Sequence, residues 1–509
     1  MKVRAALLNT LLLAGHSLFG AIASEAEVSL GETRVIGLRD ERLDVDFFGG
    51  IPFAEPPVKD LRFRPPVLKT TLNSSEFDAS KSGLACVQAG TPVIFVASNW
   101  RLGPLGFPMG EEAANSKVQN LGLHDNVAAL QWVQANIEAF GGDPSRVTIF
   151  GESAGARNID LLLFYEQIND LASGAIIESD AGTPLLPPSL DAPWQNFVSL
   201  VTPCSNFANK TGALDCLRSK NVSTSDFIQA LIDAGFSIEG GSATWEPVLD
   251  GPDGLIPTYP SQTTVKAKFP VIIGNCLDEG TFMLSQSSQN KSGEDYIRDW
   301  VKSFPHREDE LEKAQQTADR VLEAYLDIPA LGSPFGSGNN TFGLWEGYKR
   351  AAAVVGDAIF QSHRRVLLGQ LAQRPEGQAY SFIFAEDNDG VITIPSDFIF
   401  EPHAPGSLGV PHASEIFYVF GTLEDELGPG NVTANALEAS RTVLDYWISF
   451  AVTGDPNDGK GSQRPQWTPY SPSGPTVIQL KGNDTRLIPD TFREDGISVF
   501  SQDPLFWRR

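Results

Sequence analysis

The chain has 509 residues, 41% of them hydrophobic and 20% charged, which is enough apolar mass for a large core. Its formal charge of -25 argues against nucleic acid and against anionic membrane surfaces as partners, because phosphates are held by clustered Lys and Arg. That charge reads instead as a soluble, acidic exterior.

In chain order, the first element is MKVRAALLNTLLLAGHSLFGAIAS. Lys2 and Arg4 give a basic start, Ala5–Gly15 is apolar but too short to span a bilayer, and Ala21-Ile22-Ala23 has the small-x-small form of a cleavage site. Residues 1–23 therefore read as a secretory signal peptide rather than a membrane anchor, and no later segment is apolar for long enough to span a membrane. Sequons begin at Asn73, Asn209, Asn221, Asn290, Asn339, Asn431 and Asn483, which fits a secreted protein carrying N-glycans. Cysteines stand at 86, 204, 216 and 276. Cys204 and Cys216 bracket a short polar loop and are the expected disulfide in an oxidising compartment. No C-x-x-C pairing suggests a zinc site, and no motif for a cofactor or another metal stands out.

Short apolar runs rich in Val, Ile and Phe recur at 92–98, 147–150, 174–179, 270–275 and 381–385. Such runs suit strands buried on both faces. Helical patterns lie between them. In 125–140, Val127, Leu130, Val133 and Ile137 recur at helical spacing, with Asp125 placed to cap the start. In 436–454, Leu437, Val443, Trp447 and Phe450 share one side and Gly454 ends the pattern. Alternating strands and helices predict an α/β fold with a mostly parallel sheet. No Pro- or Ser-rich linker divides the chain, so 24–509 reads as one domain, with the polar region around 285–345 as a helical insertion.

Gly151-Glu152-Ser153-Ala154-Gly155 fits G-x-S-x-G, directly after an apolar run. The glycines permit a sharp turn from strand to helix that leaves the Ser153 hydroxyl at the sheet edge, above a helix N-terminus. Ser153 is the candidate nucleophile, and it needs a base. His16 falls in the leader, His124 precedes Ser153 in the wrong order, and His306 and His363 sit in charged helical surroundings that read as surface. His403 and His412 remain. His412, directly before SEIFYVFG, is preferred because the apolar segment can fix it. The acid that would orient the base is sought in Asp278 or Glu279, which follow the run 270–275 and project at the same edge as Ser153.

Several segments together resemble the type-B carboxylesterase family, the group of cholinesterases and fungal secreted lipases and esterases. They are FFGGIPFAEPPVKDLRFRPP (47–66), NWRLGPLGF (99–107), NLGLHDNVAALQWVQANIEAFGGDPSRVTIFGESAGA (120–156), DEGTF (278–282) and GVPHASEIFYVFG (409–421). The resemblance implies an α/β-hydrolase fold and hydrolysis of carboxylic esters, with a small-molecule ester as substrate. It carries over Ser153 as nucleophile, Glu279 as acid and His412 as base, and it implies the Cys204–Cys216 bond.

The chain also departs from the family pattern. The family follows a cysteine like Cys86 with a disulfide-closed loop, a strand and a glycine-rich turn that supplies oxyanion amides. Here Cys86-Val87-Gln88 runs almost straight into the run at 92–98. Several tens of residues are missing, and with them a sheet strand, the lid loop and those amides. The expected oxyanion hole is reduced to the Ala154 N–H and the helix dipole. Residues 157–172 also differ from the family pattern. Three readings follow: a secreted serine esterase with reduced or altered activity, a non-catalytic binding or adhesion homologue, and a truncated gene model of an active esterase.

Overall fold

The computed structural model describes residues 23–41, 45–80, 92–185, 191–234, 245–287, 291–304, 310–391, 393, 403–428 and 430–508. The leader up to Ile22, Cys86, the junction at 88–91, Asn290 and His306 lie outside the described residues. The chain forms two compact units, Met1–Val147 with Ser189–Phe236, and Thr148–Pro188 with Ser237–Arg509.

The first unit contains a four-stranded sheet of β1 (Ala23–Leu30), β2 (Thr33–Asp40), β3 (Val45–Phe47) and β4 (Glu76–Asp78). β1 and β2 form a hairpin whose last pair is Leu30 and Thr33, turning through Gly31 at φ 61. Leu30 and Val35 pack with Trp132, Val133 and Ile137 from the helix Leu121–Asn136 and the turn after it. That helix starts earlier than its periodicity suggests. Its cap position is Asn120, and Asp125 does not cap it. Instead Asp125 is buried in a bidentate pair with Arg101, each bond 2.7 Å. A charged partner 24 residues away takes the carboxylate that local pattern assigned to the helix end.

The run at 92–98 forms no strand, and Ile94, Phe95 and Val96 are exposed by 45, 37 and 46%. A strand exists only where a neighbour accepts and donates its backbone hydrogen bonds. No described strand pairs with this segment.

The second unit carries the main sheet. Its strands are β5 (Thr148–Glu152), β6 (Gly174–Glu178), β7 (Val271–Cys276), β8 (Ala379–Phe384), β9 (Thr476–Leu480) and β10 (Arg486–Pro489), in the order β10-β9-β8-β7-β6-β5. β5 to β9 are parallel and β10 is antiparallel on β9. Every residue of β6, β7 and β8 is buried, as expected of strands covered on both faces. One core cluster joins Ile176, Ile272, Phe382 and Ile478 to Val443, Trp447 and Phe450 of the helix Ala434–Thr453, which ends in left-handed Gly454. A second gathers Ile297, Val301, Ala318, Val321 and Tyr348 from the helices Gly293–Lys302, Leu311–Ala324 and Tyr348–Gly356. Because β5 to β8 run parallel, their carboxyl ends share one edge. The residues that follow β5, β6 and β7 are Ser153, Ser179-Asp180 and Asp278-Glu279.

Candidate active site

Ser153 sits between β5 and the helix Ala154–Leu162 with φ 54 and ψ -116, a backbone conformation that costs an L-residue energy and is kept only where its surroundings enforce it. They do so here. Its N–H donates to Glu178 O at 3.0 Å and its C=O accepts from Arg157 N at 2.9 Å. A Cβ on Gly151 would come within 2.8 Å of Gly155 carbonyl carbon, so the first glycine of the motif is a steric requirement. A Cβ on Gly155 itself would meet no described atom within 4 Å. The pattern's two glycines are therefore not equivalent. The tight contact falls on Gly151.

His412 reaches this serine from the loop after β8. Its Nε2 lies 2.8 Å from Ser153 Oγ and its Nδ1 lies 2.6 Å from Glu279 Oε2. The other Glu279 oxygen accepts the Cys276 N–H at 2.7 Å. A carboxylate can only accept, so Nδ1 carries the hydrogen and Nε2 presents a lone pair to the serine. The imidazole is 5% exposed and packs against Phe360, with ring centroids 4.9 Å apart. Gly280 lets Glu279 lie deep, since a Cβ there would come within 1.9 Å of Ala352 O.

Asp278 and Glu279 thus separate. Asp278 accepts from Ser333 Oγ and Phe335 N at 2.7 Å each and from Val410 N at 3.0 Å, tying β7 to the loop that carries His412. Burial pushes its carboxyl up to about 6 against the pull of those hydrogen bonds. His403, the other loop histidine, is half-buried, and it is His412 that meets the serine. His363 is not a surface residue. It is 3% exposed, with Nε2 3.2 Å from Asp160 and 2.9 Å from Asp180. Its charged sequence neighbourhood misleads because those partners lie far away in the chain.

Sequence reasoning missed a set of buried carboxylates around the imidazole. Glu152 Oε1 lies 3.2 Å from His412 Nε2. Glu415 accepts from Cys276 Sγ at 3.0 Å and Ser179 Oγ at 3.2 Å, and Glu178 accepts from Trp447 Nε1. The available signal was an acidic residue inside or beside an apolar run, since such a group must be paired or neutral. Burial raises Glu152, Glu178 and Glu415, and neighbouring carboxylates add to the rise. For His412, burial works against the imidazolium, but Glu152 and Glu279 outweigh it and raise the ring to about 9. The shifts of Glu152 and His412 lean on each other. A Glu152 that holds its own proton no longer draws one to His412.

The Ala154 N–H opens the helix after Ser153, where the first amides have no partner within the helix. Cys204 and Cys216 are joined in the first unit with their Cα atoms 5.7 Å apart, while Cys276 is free and buried.

The sheet, its flanking helices and the loops at its edge define an α/β-hydrolase. The crystal structure of Aspergillus niger EstA matches it with a TM-score of 0.72 over 96% of this chain and 99% of that one, at 22% identity. A model of the carboxylesterase family matches residues 24–92 and 89–495. Lipase 2 of Geotrichum candidum is 30% identical over 430 residues, 82% of this chain and 69% of that protein. Secreted lipase 1 of Botryotinia fuckeliana (strain B05.10) is 33% identical over 441 residues, 82% of this chain and 68% of that protein. The chain belongs to the carboxylesterase family, whose reaction is the hydrolysis of carboxylic esters.

Proposed function

We propose that the chain is a secreted serine esterase working through a Ser153 acyl-enzyme. The observation that carries this is the continuous line from Ser153 Oγ to His412 to Glu279, at 2.8 and 2.6 Å. His412 Nε2 takes the hydroxyl proton as Ser153 attacks the ester carbonyl, then returns it to the leaving alcohol. Water repeats the cycle in reverse and frees the acid. Glu279 fixes the tautomer and balances the imidazolium. The Ala154 N–H and the helix start stabilise the oxyanion. No step calls on a cofactor. A binding-only homologue would have no use for so ordered a set of reacting groups.

Residues 1–23 act as the leader, so that β1 keeps Ser24–Leu30 after export, and the two compact units in 24–509 serve one hydrolase function, with the helical insertion around 285–345. The sequon residues Asn73, Asn209, Asn221, Asn339, Asn431 and Asn483 are exposed, which supports N-glycosylation on export. Substrates are short, soluble acyl esters, because the lid and glycine-rich turn of the family are missing. The two matched stretches of the family model overlap at 89–92, which supports a loss at this junction.

The test is turnover of a p-nitrophenyl ester series. Ser153→Ala and His412→Ala should each lower kcat by ~10³ or more, because triad members act as a unit. Glu279→Gln should be similarly damaging, and His403→Ala nearly silent. Undiminished turnover in Ser153→Ala would refute the assignment.

A further inference from the structure

A second group of functional side chains is buried in the same unit and takes no part in the triad. Asp160 lies on the helix after Ser153, Asp180 two residues past β6, and His363 on the helix Ser362–Leu371. Their exposures are 0, 2 and 3%. One ligand atom from each converges: His363 Nε2 is 3.2 Å from Asp160 Oδ2 and 2.9 Å from Asp180 Oδ2, and all three atoms lie within 4.8 Å of one another.

Among the described residues, neither oxygen of Asp180 has a hydrogen-bond partner, and Asp160 Oδ1 has none either. His363 Nε2 approaches Asp180 Oδ2 to 2.9 Å, the spacing of an ion pair or of two ligands on one centre. A fully buried carboxylate with no donor is costly and asks for a cation. Arg157 supplies only part of the charge. It donates to Asp160 Oδ2 at 2.8 Å and to Thr183 O at 2.9 Å, leaving Asp180 unserved. Thr183 Oγ1 in turn donates to Glu246 at 2.9 Å.

We propose that Asp160, Asp180 and His363 form a binding site for a first-row divalent cation of the zinc class. One imidazole and two carboxylates suit zinc or its neighbours and are too few oxygens for calcium. In a tetrahedral zinc site with bonds near 2.0 Å, ligand atoms stand about 3.3 Å apart, close to the two spacings seen. The ligands come from positions 160, 180 and 363, so no local spacing motif announces them. The cation would pin together the helix behind Ser153, the exit of β6 and the helix that follows Phe360. It is a structural site, and the ester chemistry does not pass through it.

The experiment uses the full secreted chain. After dialysis against zinc and gel filtration, elemental analysis should find about one zinc per chain in the wild type and roughly tenfold less in Asp180→Asn and His363→Gln. Zinc should raise the Tm of the wild type and leave that of the variants unmoved. Stoichiometric labelling of Ser153 by a phosphonate checks that each variant is folded. Cobalt should give the wild type visible d–d absorption that zinc displaces, a readout needing no variant. No retained zinc, no Tm rise and no cobalt spectrum in the wild type would overturn the proposal in favour of a closed ion network. Equal zinc in wild type and folded variants would overturn it in favour of a site elsewhere.

Discussion

Glu152 lies 3.2 Å from the nitrogen that faces Ser153, inside the motif that names the nucleophile. Its carboxylate helps hold His412 up, and a raised imidazole stays protonated, and so useless as a base, to higher pH. Glu152→Gln removes that charge while keeping the side chain's size. The imidazole then loses its proton at lower pH, and the acid limb of the kcat/KM profile should move downward. A limb that stays in place or moves upward would contradict the electrostatic role. At this scale the sequence was partly legible. Ser153 could be read because the turn demands Gly151, a steric rule visible in five residues. Asp278 and Glu279 could not be told apart by spacing, because both follow β7 at the same edge. Only the fold shows Asp278 held by Ser333, Phe335 and Val410 while Glu279 turns to His412. His363 was misplaced for a related reason. Of the carboxylates it meets, Asp160 lies 203 residues away in the chain, beyond what any periodicity can report.

Among the elements, the buried parallel strands β6, β7 and β8 were the most legible, because unbroken Val, Ile and Phe runs have few other places to go. The run at 92–98 has the same composition and fails to form a strand. Composition makes a segment willing to pair, but a partner decides whether it does. The antiparallel β1–β2 hairpin went unread, as its alternating Glu, Val and Arg residues have one solvated face and a weak apolar signal. The short helices beside the Cys204–Cys216 bond give the element-scale prediction. That bond closes a sequence separation of 12 residues. Replacing both cysteines by serine should lower stability by about 3 kcal/mol in the chain-entropy model. Urea unfolding of the double variant checks this, with activity per folded molecule expected to stay near wild type, since the bond is in the first unit and the triad in the second. An unchanged midpoint would mean that the loop is already fixed without the bond.

For the whole molecule, the proposed triad stands in line by hydrogen bonding, and the proposal sets beside it an oxyanion hole without the glycine-rich turn expected from the family. Each oxyanion donor lost typically costs 10²–10³ in kcat, so two missing amides would lower the rate by on the order of 10⁴. Inserting a family-like glycine-turn segment between Gln88 and Thr91 should raise kcat on a short p-nitrophenyl ester by ~10² or more. Ordinary esterase rates in the chain as it stands would mean that other backbone amides hold the oxyanion. The central claim, that Ser153 is a nucleophile activated by His412, is independent of that rate question and has a direct measurement. The full chain is incubated with a serine-directed phosphonate, and the adduct is counted by intact mass and located by peptide mapping. The account predicts one adduct per chain, on Ser153, abolished in Ser153→Ala and strongly slowed in His412→Ala. A wild-type chain that folds and binds the reagent yet forms no adduct on Ser153, or forms it equally fast without His412, would contradict it.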